Sequence, residues 1–262
     1  MRDLTFKFEN KVEFTAMVKE HDYMLRCIPH HLPHQQVLNF SLNIFPATGG
    51  GSFGMDSFGN RTYNGRIAGP HKYFQYGIVG RIRRDDREKT PVDYMPCYKY
   101  FSGLTKPAEG MKVFLNNLPL NDELGNHEKA RIVSEALYDY FEYVPGATHV
   151  GTSAEEAFSQ GKGVCQDYAH VFLSMARLLG IPARYVSGLP EGDGASHAWA
   201  EIWHDGLWYG FDPTRNKLVD EGYITLCYGR DYNDCPIERG LFFGNTNQTQ
   251  TTWMEVQDRF NQ

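Results

Sequence analysis

The chain has 262 residues, of which 41% are hydrophobic and 22% charged, with a formal net charge of -6. That length supports one large or two modest domains with real cores, and the acidic balance argues against a nucleic-acid partner. Five cysteines are scattered without a C-x-x-C pair, a pattern that suits reduced thiols and carries no zinc signature.

The N-terminus shows no basic region followed by an apolar core and a small-residue cleavage site. No apolar run approaches the roughly 20 residues that span a bilayer. The expectation is a cytoplasmic protein without a membrane partner. No motif points to a metal or a cofactor.

From Leu4 to Ile82 the text is β-like, with alternating runs at Leu4 to Phe8, Val12 to Val18, Tyr23 to Ile28, Val37 to Ile44 and Tyr73 to Ile82. Glycine, proline and asparagine clusters separate them, and several short strands at this spacing predict an antiparallel β-sandwich. The arginines 81, 83, 84 and 87 are broken by Asp85, Asp86 and Glu88 and read as solvated. Residues from about Asp85 to Lys106, with Pro91, Pro96 and the adjoining Pro107, show little periodicity, the mark of a linker. The boundary is placed at 88, giving domains 1–88 and 89–262.

A helix is expected from His127 to Val144, with Val133, Leu137, Tyr140, Phe141 and Val144 as its buried stripe, stopped by Pro145-Gly146. Ser153 and Glu156 form a capping box for a short helix leading to the Gly161-Lys162-Gly163 turn. The next helix carries Tyr168, Val171, Phe172, Met175, Leu178 and Leu179 at three- and four-residue steps, and Gly180 and Pro182 stop it. Cys165 then sits in its first turn, where unpaired N–H groups and the dipole favour a thiolate. Asp167 also suits that end of the dipole. His170, on the same helix, reads as a packing or hydrogen-bonding residue.

His197 lies in a strand whose alternation sends His197, Trp199, Glu201 and Trp203 to one face and Ala198, Ala200 and Ile202 to the other. Asp205-Gly206 is a hairpin signal, and Asp212 closes the following strand, which Pro213 ends. His197 and Asp212 therefore stand on neighbouring antiparallel strands, close enough for the carboxylate to orient the imidazole. Cysteine, histidine and aspartate in that order supply nucleophile, base and orienting acid. Trp199, Trp203, Trp208 and Tyr209 cluster around these strands, and Trp199 and Trp208 are expected to wall the substrate cleft. The tail returns to strands at Ile224 to Tyr228, Leu241 to Phe243 and Thr249 to Val256, and Arg230, Asp231 and Tyr232 suggest an ion pair beside the site.

The motifs Gly163-Val164-Cys165-Gln166-Asp167-Tyr168, Ser196-His197-Ala198-Trp199 and Asp212-Pro213-Thr214 resemble the transglutaminase-like superfamily, and more narrowly its bacterial branch of cysteine proteases. The string around Ile28-Pro29, Gln35-Gln36 and Asp56 to Asn60 resembles the N-terminal β domain that accompanies the bacterial members. The resemblance implies an α+β, papain-like catalytic domain after the β-sandwich, with Cys165 as nucleophile, His197 as base and Asp212 orienting it. It also implies a side-chain oxyanion donor upstream of the nucleophile, for which Tyr143 is the candidate; Gln166, which follows the nucleophile on the helix, is a second candidate donor and could equally point into the core. The function implied is a thiol-dependent amidase, passing through an acyl-thioester on Cys165 to hydrolyse peptide or glutamine-type amides of a protein or peptide substrate. Protein-glutamine transamidation and a non-catalytic binding module are the alternatives.

Overall fold

The computed structural model describes residues 1–47 and 49–259. Its first 84 residues make five strands: β1 (Arg2–Leu25), β2 (Gln35–Phe45), β3 (Gly51–Met55), β4 (Arg61–Ile67) and β5 (His71–Arg84). Along β1, Leu4, Phe6, Phe8, Val12 and Phe14 are buried, the two-residue period of a half-buried strand. The first half of β1 pairs antiparallel with β5 and the second half with β4. The register against β5 breaks between Glu13 and Val18.

The segment expected to be a linker is strapped down. It contains 3-10 turns at Asp86–Glu88 and Pro96–Lys99. The Val92 N–H donates to Gly206 O (2.7 Å), and Trp203 Nε1 donates to Val92 O (2.7 Å). Arg84, expected among solvated arginines, is buried. Its guanidinium donates to Gln35 Oε1, Asp86 Oδ1 and the Asp220 carbonyl, so acceptors from three segments replace water.

Helices α1 (Glu109–Asn116) and α2 (Asn126–Tyr140) come next, then β6 (Glu142–Tyr143), α3 (Ala154–Gln160), β7 (Lys162–Gly163) and α4 (Cys165–Leu178). Helix α2 stops at Tyr140, short of the expected Val144. The reason is a competing partner: the backbone of 142–144 is taken into parallel pairing with 162–163, with Glu142 N donating to Gly161 O and Val144 N to Gly163 O.

Strands β8 (Ala183–Pro190), β9 (Gly192–Gly194), β10 (His197–His204), β11 (Leu207–Asp212), β12 (Lys217–Leu218) and β13 (Tyr223–Gly229) follow. All but β9 form an antiparallel sheet in the order β12-β11-β10-β8-β13. Helix α4 packs on β10 and β8 and is flanked by α2 and α3. Every residue of α4 from Asp167 to Arg177 is buried, so it is a central helix and not one with a single apolar face. Two of its buried polar side chains are held by partners on other segments. His170 Nε2 accepts from the Tyr232 N–H, and Arg177 donates to Thr105 Oγ1 and to the carbonyls of Tyr98, Ala183 and Arg230.

The last strands, β14 (Glu238–Phe243) and β15 (Gln248–Asp258), return to the N-terminal region. β15 runs antiparallel along the first half of β1 and bonds β9 on its other edge, while β14 pairs with the second half of β1. Eight strands thus join one network in which β1 is shared. β1 pairs β5 and β15 along its first half and β4 and β14 along its second, and residues 238–258, assigned by sequence to the second domain, supply two of those partners. They satisfy backbone groups of β1 that an independent N-terminal domain would leave at an open edge.

Candidate active site

Cys165 is the first residue of α4, and several local features put it there. Gly161 (φ 65°) closes α3 in the left-handed conformation. Gly163 then passes so close to Asp167 that a Cβ would lie 2.5 Å from Asp167 Oδ2. That same carboxylate oxygen accepts from the Val164 N–H (2.8 Å) and from Thr148 Oγ1 (2.6 Å), fixing the approach to the helix. Burial pushes the Asp167 carboxyl up, and these bonds work against that shift. The first N–H of a helix has no carbonyl four residues back within the helix, which leaves the Cys165 N–H as a donor beside its own sulfur.

His197 opens β10, and Asp212 ends the adjacent β11. His197 Nε2 bonds Asp212 Oδ2 at 2.7 Å, and Cys165 lies near enough to the imidazole to raise its pKa. Burial lowers the His197 pKa, but the bond to Asp212 and the neighbouring Cys165 outweigh it and raise the value to about 9. Asp212 is fully buried and multiply held. Its Oδ2 also accepts from the Tyr223 hydroxyl (2.8 Å), its Oδ1 accepts from the Thr214 N–H (3.2 Å), and Arg215 Nε stands 3.8 Å from Oδ2.

Cys165, Gln166 and His197 line a cavity of about 420 Å³, within the range of sites that hold a small ligand or part of a chain. Its opposite wall is built from the first sheet, with Phe8, Val12, Phe14 and Tyr76. Tyr143 lies on β6, beside the strand that leads into Cys165; burial, and then the neighbouring Cys165, raise its pKa. Gln166 spends one amide N–H on the Val150 carbonyl (3.0 Å).

The two tryptophans expected to wall the cleft do not line this cavity. Trp199 is wholly buried in a cluster with Val186 and Tyr223, its ring edge-on to Tyr223 at 5.3 Å. Trp208 lines a separate cavity of about 250 Å³, where its ring covers the Arg184 guanidinium at 4.1 Å. The physical reason is tertiary packing: Ala198, Ala200 and Ile202 pack in the main core with α4, while on the other face Val186 and Tyr223 enclose Trp199. Arg230 pairs with Asp234 (2.8 Å), not with Asp231, whose Oδ2 accepts from the Leu104 N–H. Among the described residues, no group of three or more His, Cys, Asp or Glu is placed to hold a metal, and no helix is long and apolar enough to cross a membrane.

Two family models match. Residues 4–83 match the bacterial transglutaminase-like N-terminal region, and residues 117–213, which contain Cys165, His197 and Asp212, match the transglutaminase-like superfamily core. The chain belongs to the transglutaminase-like superfamily. An uncharacterized protein of Mycobacterium leprae is 40% identical over 132 residues, 45% of this chain and 47% of that one. An uncharacterized protein of Mycobacterium tuberculosis is 36% identical over 138 residues, 47% of this chain and 44% of that one. The match thus spans about half the length of these curated relatives. The crystal structure of a "Putative Cysteine Protease" from Cytophaga hutchinsonii superposes with a TM-score of 0.81 over 99% of this chain and 92% of that one, at 21% identity, a likeness of fold.

Sequence reasoning missed three polar residues of this transglutaminase-like site. Tyr223 supports Asp212 from the first position of β13, and Asn10 and Glu238 come from opposite ends of the chain. None carries a local signal, because each is defined by a partner on another strand.

Proposed function

We propose that this transglutaminase-like chain is a thiol-dependent amidase that hydrolyses peptide or glutamine-type amides of a protein or peptide substrate. What supports the reading is Cys165 at the start of a helix, beside a His197 imidazole that buried Asp212 holds by a 2.7 Å hydrogen bond, all at a cavity of ligand size. An imidazolium next to a sulfur at a helix N-terminus favours the thiolate. The sulfur attacks the amide carbon, and the C–S bond forms as the carbonyl electrons move onto oxygen. The Cys165 N–H, with Tyr143 or Gln166, supplies the donors for that oxyanion. Collapse breaks the C–N bond, His197 protonates the departing amine, and the thioester remains. Water then attacks, giving its proton to His197, and the acid leaves with the thiolate restored. All five cysteines are free, which fits a reducing compartment, and the cytoplasm is the setting we propose.

Iodoacetamide at pH 6 with mass spectrometry tests the nucleophile. Cys165 is expected to label about tenfold or more faster than half-buried Cys97, whose pKa burial raises. Equal labelling of the two would overturn the reading. Incubation with a peptide library, with and without a primary amine, tests the reaction: shortened or deamidated peptides identify a hydrolase, and amine adducts a transferase.

A further inference from the structure

The cavity beside Cys165 contains one carboxylate, that of Glu238, and no lysine or arginine among the described residues that line it. Its two histidines supply no spare cation. His197 is paired with Asp212, and burial with neighbouring His71 pushes His21 down to about 4. Apart from Glu238 and the two histidines, the lining is neutral, with Phe8, Phe14 and Phe242 beside uncharged polar groups such as Gln248, Gln250 and Thr252.

A chain of neutral donors holds the carboxyl in place. Gln250 Nε2 and Thr252 Oγ1 both donate to Asn10 Oδ1, at 2.8 and 2.9 Å. That assigns the Asn10 amide orientation, so its Nδ2 donates to Glu238 Oε2. Asn10 is itself buried. One oxygen of Glu238 is therefore fixed by an uncharged partner. A carboxylate withdrawn from water is costly unless a cation meets it. Burial alone moves this group, raising its pKa to about 7, with no charged partner working against it. An acid held by a rigid neutral network in the substrate cavity, with no cation of the protein's own, is built to receive one from outside.

We propose that Glu238 is a specificity-determining residue that binds a primary ammonium group on the acyl donor. The donor is thus a short peptide or amide with a free amino terminus or a basic side chain, its scissile carbonyl at Cys165. The ammonium is a handle and not the attacking amine, because a carboxylate partner keeps it protonated and an ammonium has no lone pair with which to open a thioester. This rests on Cys165 being the nucleophile of an amidase.

The test alkylates the full chain with iodoacetamides bearing an ammonium or an isosteric neutral group on linkers of two to six methylenes, reading Cys165 and Cys97 modification separately by mass spectrometry of the digested protein. In the native protein the ammonium reagent is expected to react about tenfold faster than its neutral match at one or more linker lengths, equivalent to about 1.4 kcal/mol. The ratio falls to about one in Glu238→Gln, and in Glu238→Asp the best linker lengthens by about one methylene. No preference at any length, or a preference that survives in Glu238→Gln, overturns the proposal. Failure of the amidase reading looks different, with Cys165 no more reactive than Cys97 toward every reagent. A second arm offers peptide pairs differing only in a free or acetylated amino group, with and without a soluble diamine. Selective turnover of the free peptide supports the proposal. Diamine incorporation without that selectivity assigns the ammonium to the acceptor and overturns it.

Discussion

Tyr223 and His197 share one oxygen. The tyrosine hydroxyl donates to Asp212 Oδ2 at 2.8 Å and the imidazole bonds the same atom at 2.7 Å. Asp212 is thereby clamped between two strands, with buried Trp199 packed edge-on against the clamping ring. Tyr223 never reaches the cavity that Cys165 lines, so it acts as a positioning residue.

Replacing Tyr223 by Phe should keep the fold and lower kcat about tenfold, the kinetic equivalent of one lost hydrogen bond of about 1.4 kcal/mol. KM should change little, since the substrate does not touch this residue. A matching rise in KM with kcat unchanged would contradict the positioning role.

Asp212→Asn should move the alkaline limb of the kcat/KM profile. His197 is held protonated up to about pH 9 by Asp212 and Cys165 against the effect of burial. Its folded pKa is above the unfolded value near 6.5, so its stabilising contribution is complete below pH 6.5 and is lost as pH rises through about 9. Without the carboxylate, the limb should shift toward neutral pH, and the native protein should lose its stability advantage over the variant above pH 9. Thermal melts and rate profiles from pH 6 to 10 check both.

Glu238→Gln should stabilise the protein at pH 8 and not at pH 4. Burial raises the carboxyl from 4.5 to about 7, so the folded state binds the proton more tightly than the unfolded chain. The contribution is full below 4.5 and lost as pH rises through 7. The shift of 2.5 (7 minus 4.5) corresponds to at most about 3.5 kcal/mol. Tyr76, Tyr232 and Cys27 are the titratable groups that feel its charge; burial raises all three, so they are neutral at pH 8. Identical melting shifts at pH 4 and pH 8 would show that the carboxyl does not titrate between them.

Gly163→Ala should cost about 1–3 kcal/mol, because the new methyl meets Asp167 Oδ2 at 2.5 Å and displaces the group that anchors the start of α4. Gly69→Ala, where nothing lies within 4 Å of an added Cβ, should stay within about 0.5 kcal/mol. Urea unfolding of the two variants checks the contrast, and equal losses would remove Gly163 from the account.

What the sequence by itself determined is the local apparatus. Glycines before Cys165, the helical period after it, the Asp205-Gly206 turn and the stop at Pro213 place a thiol at a helix start and His197 and Asp212 on a hairpin. These signals are readable because each acts within a few residues, through backbone sterics, caps and alternation. Alternation also put Trp199 on a definite strand face, but only the tertiary structure decided that Val186 and Tyr223 would bury it there. The cavity itself is non-local. β1 meets β15 and β14 across more than 210 positions of chain, and the bond from Asn10 to Glu238 spans 228. Inter-strand hydrogen bonds of that range leave no periodic trace in either partner. Which carboxylate faces the nucleophile, and which tyrosine clamps the aspartate, is set by packing and not by any local preference.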